Sequence, residues 1–210
     1  MAQRRALADE VCRRLSEAIP DARCELYYRT PFQLLLSVVL SAQTTDKMVN
    51  ASMQGVYDQG FGPEDVLRLG ETGMHALIRR IGLAPTKAKR SVVLAGRILK
   101  EHGGEVPRTR EELEELPGVG RKTANVVLAE IYQEPTLAVD THVFRVTRRL
   151  GLQNAPTPEK CELELLEVID RKWLPRAHHL FILHGRYTCK ALRPACEKCP
   201  LADICPSSLV

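Results

Sequence analysis

A lysine, an aspartate and four cysteines are the residues of this chain whose types and spacing could do chemistry. Lys122 follows Leu116-Pro117-Gly118-Val119-Gly120-Arg121 and opens a helical pattern. The first turn of a helix is the unfavourable end for a cation, because the macrodipole is positive there, and Arg121 adds a second positive neighbour. An amine is a nucleophile only when neutral. From an ordinary lysine pKa, neutrality at pH 7 costs roughly 4.6 kcal/mol, and positive neighbours and desolvation reduce that cost. A lone lysine is usually a solvated surface charge, so it is the setting that marks Lys122. Asp140, in Leu137-Ala138-Val139-Asp140-Thr141-His142-Val143-Phe144-Arg145, stands where a helix begins. Aspartate is among the best N-caps, and that structural role is compatible with a chemical one. A capping carboxylate is fixed in orientation, which suits it to stabilise a developing cation.

Cys189, Cys196, Cys199 and Cys205 give the spacing C-x6-C-x2-C-x5-C. Zinc sites usually come as two short C-x-x-C pairs separated by a longer loop. Only one such pair occurs here, and the other spacings suit one loop wrapping one compact cluster. That favours a [4Fe-4S] cubane held by four thiolates over zinc. Arg186, Lys190, Arg193 and Lys198 lie around the cysteines in sequence and could offset a negative cluster or touch phosphate. Cys12, Cys24 and Cys161 are expected to be small core residues.

The elements that must position these groups are helices. Apolar residues recur with helical period over Ala6–Ile19, Asp46–Asp58 and Gly73–Ile81, and Pro31–Ser41 is apolar on nearly all sides, as a buried central helix would be. Glu64–Leu69 is a short helix. Thr86 is the expected cap of a helix through Lys100 that ends at Gly103-Gly104. Thr109 and Glu112 form a capping box, and Pro117 ends the helix they open. Arg121–Tyr132, Asp140 to Leu150, a helix opened by Thr157-Pro158, and Pro175–His184 complete the set. No stretch alternates as a strand does, so the fold class is all-α.

The hairpin before Lys122 is informative in itself. A helix stops at Pro117, two glycines flank one apolar residue, and another helix begins at once. Gly118 and Gly120 permit positive φ and expose their N–H groups without a Cβ in the way. Together with the orphan donors of the next helix they would seat a phosphate oxygen, while Val119 anchors the hairpin between the helices. A plain αα turn also favours glycine. The whole run from Leu116 to Ala124, with helices on both sides, reads instead as a helix-hairpin-helix that grips a nucleic-acid backbone without reading sequence.

Composition sets the frame. Hydrophobic residues make up 44% of the 210 and charged residues 27%, an ordinary globular balance with room for one large or two small domains. The formal net charge of +4 is too mild to announce nucleic-acid binding by itself. The apolar run Leu34–Val39 is far too short to span a bilayer. The first twenty residues are charged throughout and lack a signal-peptide core. The chain therefore reads as cytoplasmic, with no membrane partner, and its modest size suits a monomer.

Taken together, these stretches resemble the endonuclease III family of DNA glycosylases with lyase activity. The resemblance runs from Thr30 to Cys205 and rests on residues 30–46, 116–124, 138–146 and 184–205. It implies a two-lobed helix-hairpin-helix glycosylase fold. Residues 23–133 would form a six-helix barrel, and 1–22 with 134–210 a discontinuous lobe carrying the cluster loop, 189–205. The partner implied is duplex DNA containing damaged bases or abasic sites. The activity implied is base excision of oxidised pyrimidines, with the base flipped out of the stack, Lys122 attacking the sugar C1′, and β-elimination from the resulting Schiff base. Gln43 matches the glutamine that fills the gap, and Leu83 the wedge inserted opposite. Gly118, Val119, Gly120, Arg121 and His142 join them in the implied DNA-binding set.

One departure adjoins the wedge. The family commonly has an aromatic residue and an asparagine after the leucine, where this chain has Ala84 and Pro85. Pro85 stiffens the loop and removes a donor, so an altered lesion range or reduced activity is expected. Two alternatives remain beside this reading. One is an adenine-mismatch glycosylase, whose catalytic glutamate would align with Val38 and which lacks a lysine at 122. The other is a non-catalytic DNA-binding or redox-sensing module.

Overall fold

A computed structural model describes residues 1–210. The chain forms ten α-helices and no strand: α1 Ala2–Ala18, α2 Pro31–Leu40, α3 Asp46–Tyr57, α4 Pro63–Ile78, α5 Ala84–His102, α6 Arg110–Glu114, α7 Arg121–Tyr132, α8 Thr141–Arg149, α9 Pro158–Val168 and α10 Leu174–Tyr187. A 3-10 turn at Cys196–Lys198 follows. No helix is long and apolar enough to cross a membrane. Two compact units result, one of residues Cys24–Tyr132 and one of Met1–Arg23 with Gln133–Val210.

The first unit holds α2 to α7. Thr30 caps α2 by accepting the Gln33 amide, Pro31 presets the first turn, and every residue from Phe32 to Leu40 is buried. Each leucine buried here contributes about 2 kcal/mol. The two polar residues of this helix are satisfied internally. Gln33 donates to the Phe61 carbonyl at 3.0 Å and accepts the Arg29 amide at 2.8 Å, and Ser37 bonds the Tyr57 hydroxyl at 2.9 Å. The stretches read separately as 64–69 and 73–81 form one kinked helix, α4, broken at Gly70 with φ 61°.

The start of α5 departs from expectation. Its cap is Leu83, three residues before Thr86, and Leu83 adopts a left-handed φ of 61° with no side-chain cap bond. Pro85 sits in the first turn, where its missing N–H is no loss. The helix ends as expected at Gly103, with φ 61°. Thr109 caps α6, which ends at Glu114 before Pro117.

The second unit packs α1, α8, α9 and α10 around Val11, Leu15, Val143, Val146, Leu165, Leu180 and Phe181. Arg4 reaches across it to the Leu152 carbonyl at 2.6 Å and to Glu164 at 3.0 Å. Gly151, φ 71°, terminates the turn after α8. Cys12 and Cys161 are core residues here, whereas Cys24 of the first unit is only half-buried. Burial pushes the Cys12 thiol up to about 12 and the Cys161 thiol to about 11.

Candidate active site and cluster loop

In the first unit, α6 ends in a chain of short turns. The Leu116 amide bonds the Leu113 carbonyl at 3.0 Å, the Val119 amide bonds Leu116 at 3.1 Å, and the Ala124 amide bonds Gly120 at 2.9 Å. Gly120 is therefore the residue before α7, and Arg121, Lys122 and Thr123 form its first turn, whose N–H groups have no partner within the helix. Val119 is buried and anchors the hairpin. The two glycines differ in a way their types did not announce. Gly118 has φ +84°, and a Cβ there would lie 3.1 Å from Val39 Cγ1. Gly120 is not in the left-handed region, and a Cβ there would meet no protein atom within 4 Å. Gly118 is thus demanded by the fold, while Gly120 leaves open space beside the helix N-terminus. Lys122 is exposed.

Gln43 and Leu83 belong to the same unit, on two turns that touch. Both are exposed, and both have left-handed backbones, φ 55° and 61°. The Gly82 amide donates to Thr44 Oγ1 at 3.3 Å and links the turns.

In the other unit, Asp140 is the cap of α8. Its Oδ1 accepts the His142 amide at 2.9 Å and the Val143 amide at 2.8 Å. Both bonds fall on one oxygen, so the cap leaves Oδ2 uncommitted. Upstream, His178 Nδ1 meets the Ala138 carbonyl at 2.9 Å, holding the segment that leads into the cap. His142 is half-buried, and its Nδ1 lies 3.2 Å from an Arg145 guanidinium nitrogen. Arginine can only donate, so in this contact the ring nitrogen is the acceptor. The same guanidinium donates to the carbonyls of Gly185 at 3.0 Å and Cys189 at 3.1 Å. Gly185 admits this close approach, since a Cβ there would be 2.9 Å from His142 Cβ.

The four C-terminal cysteines line one pocket, with Arg149 and His184 in its wall. No three His, Cys, Asp or Glu side chains converge as a single metal ion would require. A pocket lined by four thiols fits a cubane, in which each cysteine takes a different iron. The cation placed on a cysteine sulfur is Arg149. Its guanidinium lies 3.4 Å from Cys189 Sγ and donates to the carbonyls of Lys190 at 2.7 Å and Ala191 at 3.0 Å. His184 Nε2 lies 3.7 Å from Cys199 Sγ. Arg145 and Arg149 were not singled out from sequence. Their signal was i, i+4 spacing on the helix that Asp140 opens, which sets both guanidinium groups on one face of α8.

The comparisons with known proteins agree with this architecture. Residues 36–171 match the HhH-GPD superfamily of base excision DNA repair proteins. Residues 189–205 match the iron-sulfur binding domain of endonuclease III. Endonuclease III of Rickettsia conorii is 48% identical over 186 residues, 89% of each chain. That of Escherichia coli is 44% identical over 196 residues, 93% of each. The solved structure of a trapped endonuclease III–DNA covalent intermediate superposes with a TM-score of 0.89 at 40% identity, covering 97% of this chain and 96% of that one. The class defined by fold and site is the helix-hairpin-helix base excision glycosylase. Within it, this chain belongs to the endonuclease III family. It is a DNA glycosylase with abasic-site lyase activity, and its cofactor is a [4Fe-4S] cluster.

Proposed function

We propose that this enzyme removes oxidised pyrimidines from duplex DNA, with Lys122 as nucleophile and Asp140 as its carboxylate partner. Lys122 Nζ attacks C1′ of the flipped nucleotide, and the C1′–N bond breaks with its electron pair leaving on the base. The attacking nitrogen of the resulting aminal gives up a proton, and the C1′–O4′ bond breaks with its electron pair going to O4′, which is protonated. The ring-opened iminium ion so formed acidifies the C2′ proton. Loss of that proton expels the 3′ phosphate by β-elimination and nicks the strand. Asp140 stabilises positive charge on the sugar as it develops. The observation that carries this assignment is the Asp140 cap. Two amides fix Oδ1 and leave Oδ2, an acceptor of known direction, for substrate.

The hairpin supports the DNA-binding part of the reading. The open space at Gly120 and the first-turn N–H groups of α7 suit a phosphate oxygen. Arg121 and His142 are assigned to backbone contacts, and Gln43 and Leu83 to the gap and the opposite strand. Cys189, Cys196, Cys199 and Cys205 are assigned as cluster ligands. When bound, the cluster cross-links the loop that carries them. Val38, at the position the adenine-mismatch group gives to a glutamate, is buried in α2 and has no carboxyl group. The cytoplasm and a monomeric state are the proposed setting.

Single-turnover base release from a duplex carrying one thymine glycol tests the assignment. Lys122→Ala and Asp140→Asn are expected to lower the rate by 10²-fold or more, on the order seen when a transition-state contact is removed. An unchanged rate in either variant overturns the role given to that residue.

A further inference from the structure

Lys87 is an unusual lysine. It is 4% exposed, yet it sits in the second turn of α5 with no carboxylate partner. Its Nζ donates to the carbonyl of Ala42 at 2.7 Å. Its backbone amide bonds the Leu83 carbonyl at 3.0 Å. That amide bond is the first-turn bond of α5, so Lys87 is seated on the helix that Leu83 opens while its side chain reaches the turn that carries Gln43.

The bond to Ala42 falls at a decisive place. Residues Ser41 to Thr44 form a tight turn closed by the Thr44 amide on the Ser41 carbonyl at 3.0 Å. Ala42 and Gln43 are its central pair, and the peptide between them can face either way. One orientation gives the third residue a negative φ, the other a positive one. The positive form is ordinarily reserved for glycine or asparagine, yet here glutamine adopts it with φ 55°. The carbonyl that defines this orientation is the one Lys87 holds. The Gly82 amide on Thr44 Oγ1 adds a second tie between the same turns.

We infer that Lys87 is a positioning residue for base excision: it fixes the central peptide of the Ser41–Thr44 turn and so sets Gln43 against Leu83. This rests on the reading that Gln43 and Leu83 enter the duplex. The ammonium itself does no chemistry. It holds an unfavourable backbone in place before DNA arrives, so that the two side chains need not be ordered during strand opening.

The test compares Lys87→Met with Gln43→Ala and Leu83→Ala on two substrates. The first is a thymine-glycol duplex with 2-aminopurine beside the lesion, reporting excision and unstacking. The second is a single-stranded abasic oligonucleotide trapped with borohydride, which has no opposing base to replace. Lys87→Met is expected to slow duplex excision roughly 10- to 100-fold and delay the fluorescence rise, as misplaced groups do. Single-strand trapping should stay within about twofold, and the duplex defect should largely disappear in a Gln43→Ala background. Equal losses on both substrates, or none on either, would overturn the proposal. If Gln43→Ala and Leu83→Ala excise normally, the insertion reading fails and the proposal falls with it. If they are slow while Lys87→Met is normal, the insertion reading stands and only the role of Lys87 fails. Should Lys87→Met not fold, Thr44→Val loosens the same pair of turns without touching a buried charge. It should show the same duplex-selective defect in smaller measure, and normal duplex rates in it would count against the proposal.

Discussion

Val143 donates its backbone amide to Asp140 Oδ1 at 2.8 Å, and that bond separates the structural duty of this carboxylate from its chemical one. Asparagine caps helices as well as aspartate does, whereas alanine costs about 1 kcal/mol. Asp140→Asn should therefore melt with the parent and lose base excision, while Asp140→Ala should lose both. Thermal melts set beside single-turnover rates check this. An active Asp140→Asn enzyme would mean that the negative charge is dispensable.

The two hairpin glycines should fail differently. Gly118→Ala places a Cβ 3.1 Å from Val39 Cγ1 on a backbone with φ +84°. Strain of that kind costs on the order of 1–3 kcal/mol. Gly120→Ala meets no protein atom, so its stability should change little while its affinity for undamaged duplex falls, because the added methyl faces the proposed phosphate seat. Urea unfolding and fluorescence anisotropy distinguish the two. Equal destabilisation by both would contradict this division.

Arg149 holds the start of the cysteine loop through Cys189 Sγ and two carbonyls. Arg149→Met keeps much of the stem and removes all three contacts. The purified variant should lose its brown colour to a chelator several-fold faster than the parent, since partners of metal ligands typically matter at the 10- to 100-fold level. Equal bleaching would show that the cluster alone fixes the loop. Cys199→Ser provides the reference, with iron content expected to fall outright.

Lys87 also predicts a pH dependence. Burial holds its ammonium below the usual lysine pKa. The unfolded chain then binds more protons than the folded one between the lowered value and about 10.4. Stability attributable to this residue should therefore rise with pH through that window. Urea unfolding of the parent and Lys87→Met at stepped pH isolates the effect: the parent should gain on the variant as pH climbs toward 10. A constant difference would mean that the ammonium is not desolvated.

Much of this was legible in the sequence. Helical periodicity, the Thr109 and Thr157 starts and the terminal glycines placed most elements, because these signals are local. The start of α5 was misread at Thr86 because a left-handed leucine cap has no residue-type signature. Pro85, read as an intruder beside the wedge, is a favourable first-turn residue. The equivalence assumed for Gly118 and Gly120 failed because only packing against Val39 distinguishes them. Arg145, Arg149 and Lys87 were overlooked for a related reason. Their partners are backbone carbonyls 40 or more positions away in sequence, such as Cys189 and Ala42, and a carbonyl carries no residue identity.

The central claim is that Lys122 forms a Schiff base with the damaged nucleotide. The most direct measurement is borohydride trapping on a thymine-glycol duplex, followed by digestion and mass analysis of the cross-linked peptide. A covalent adduct mapped to Lys122, and absent in Lys122→Ala, is the predicted result. An adduct on another amine, or base release with no adduct at all, would contradict it.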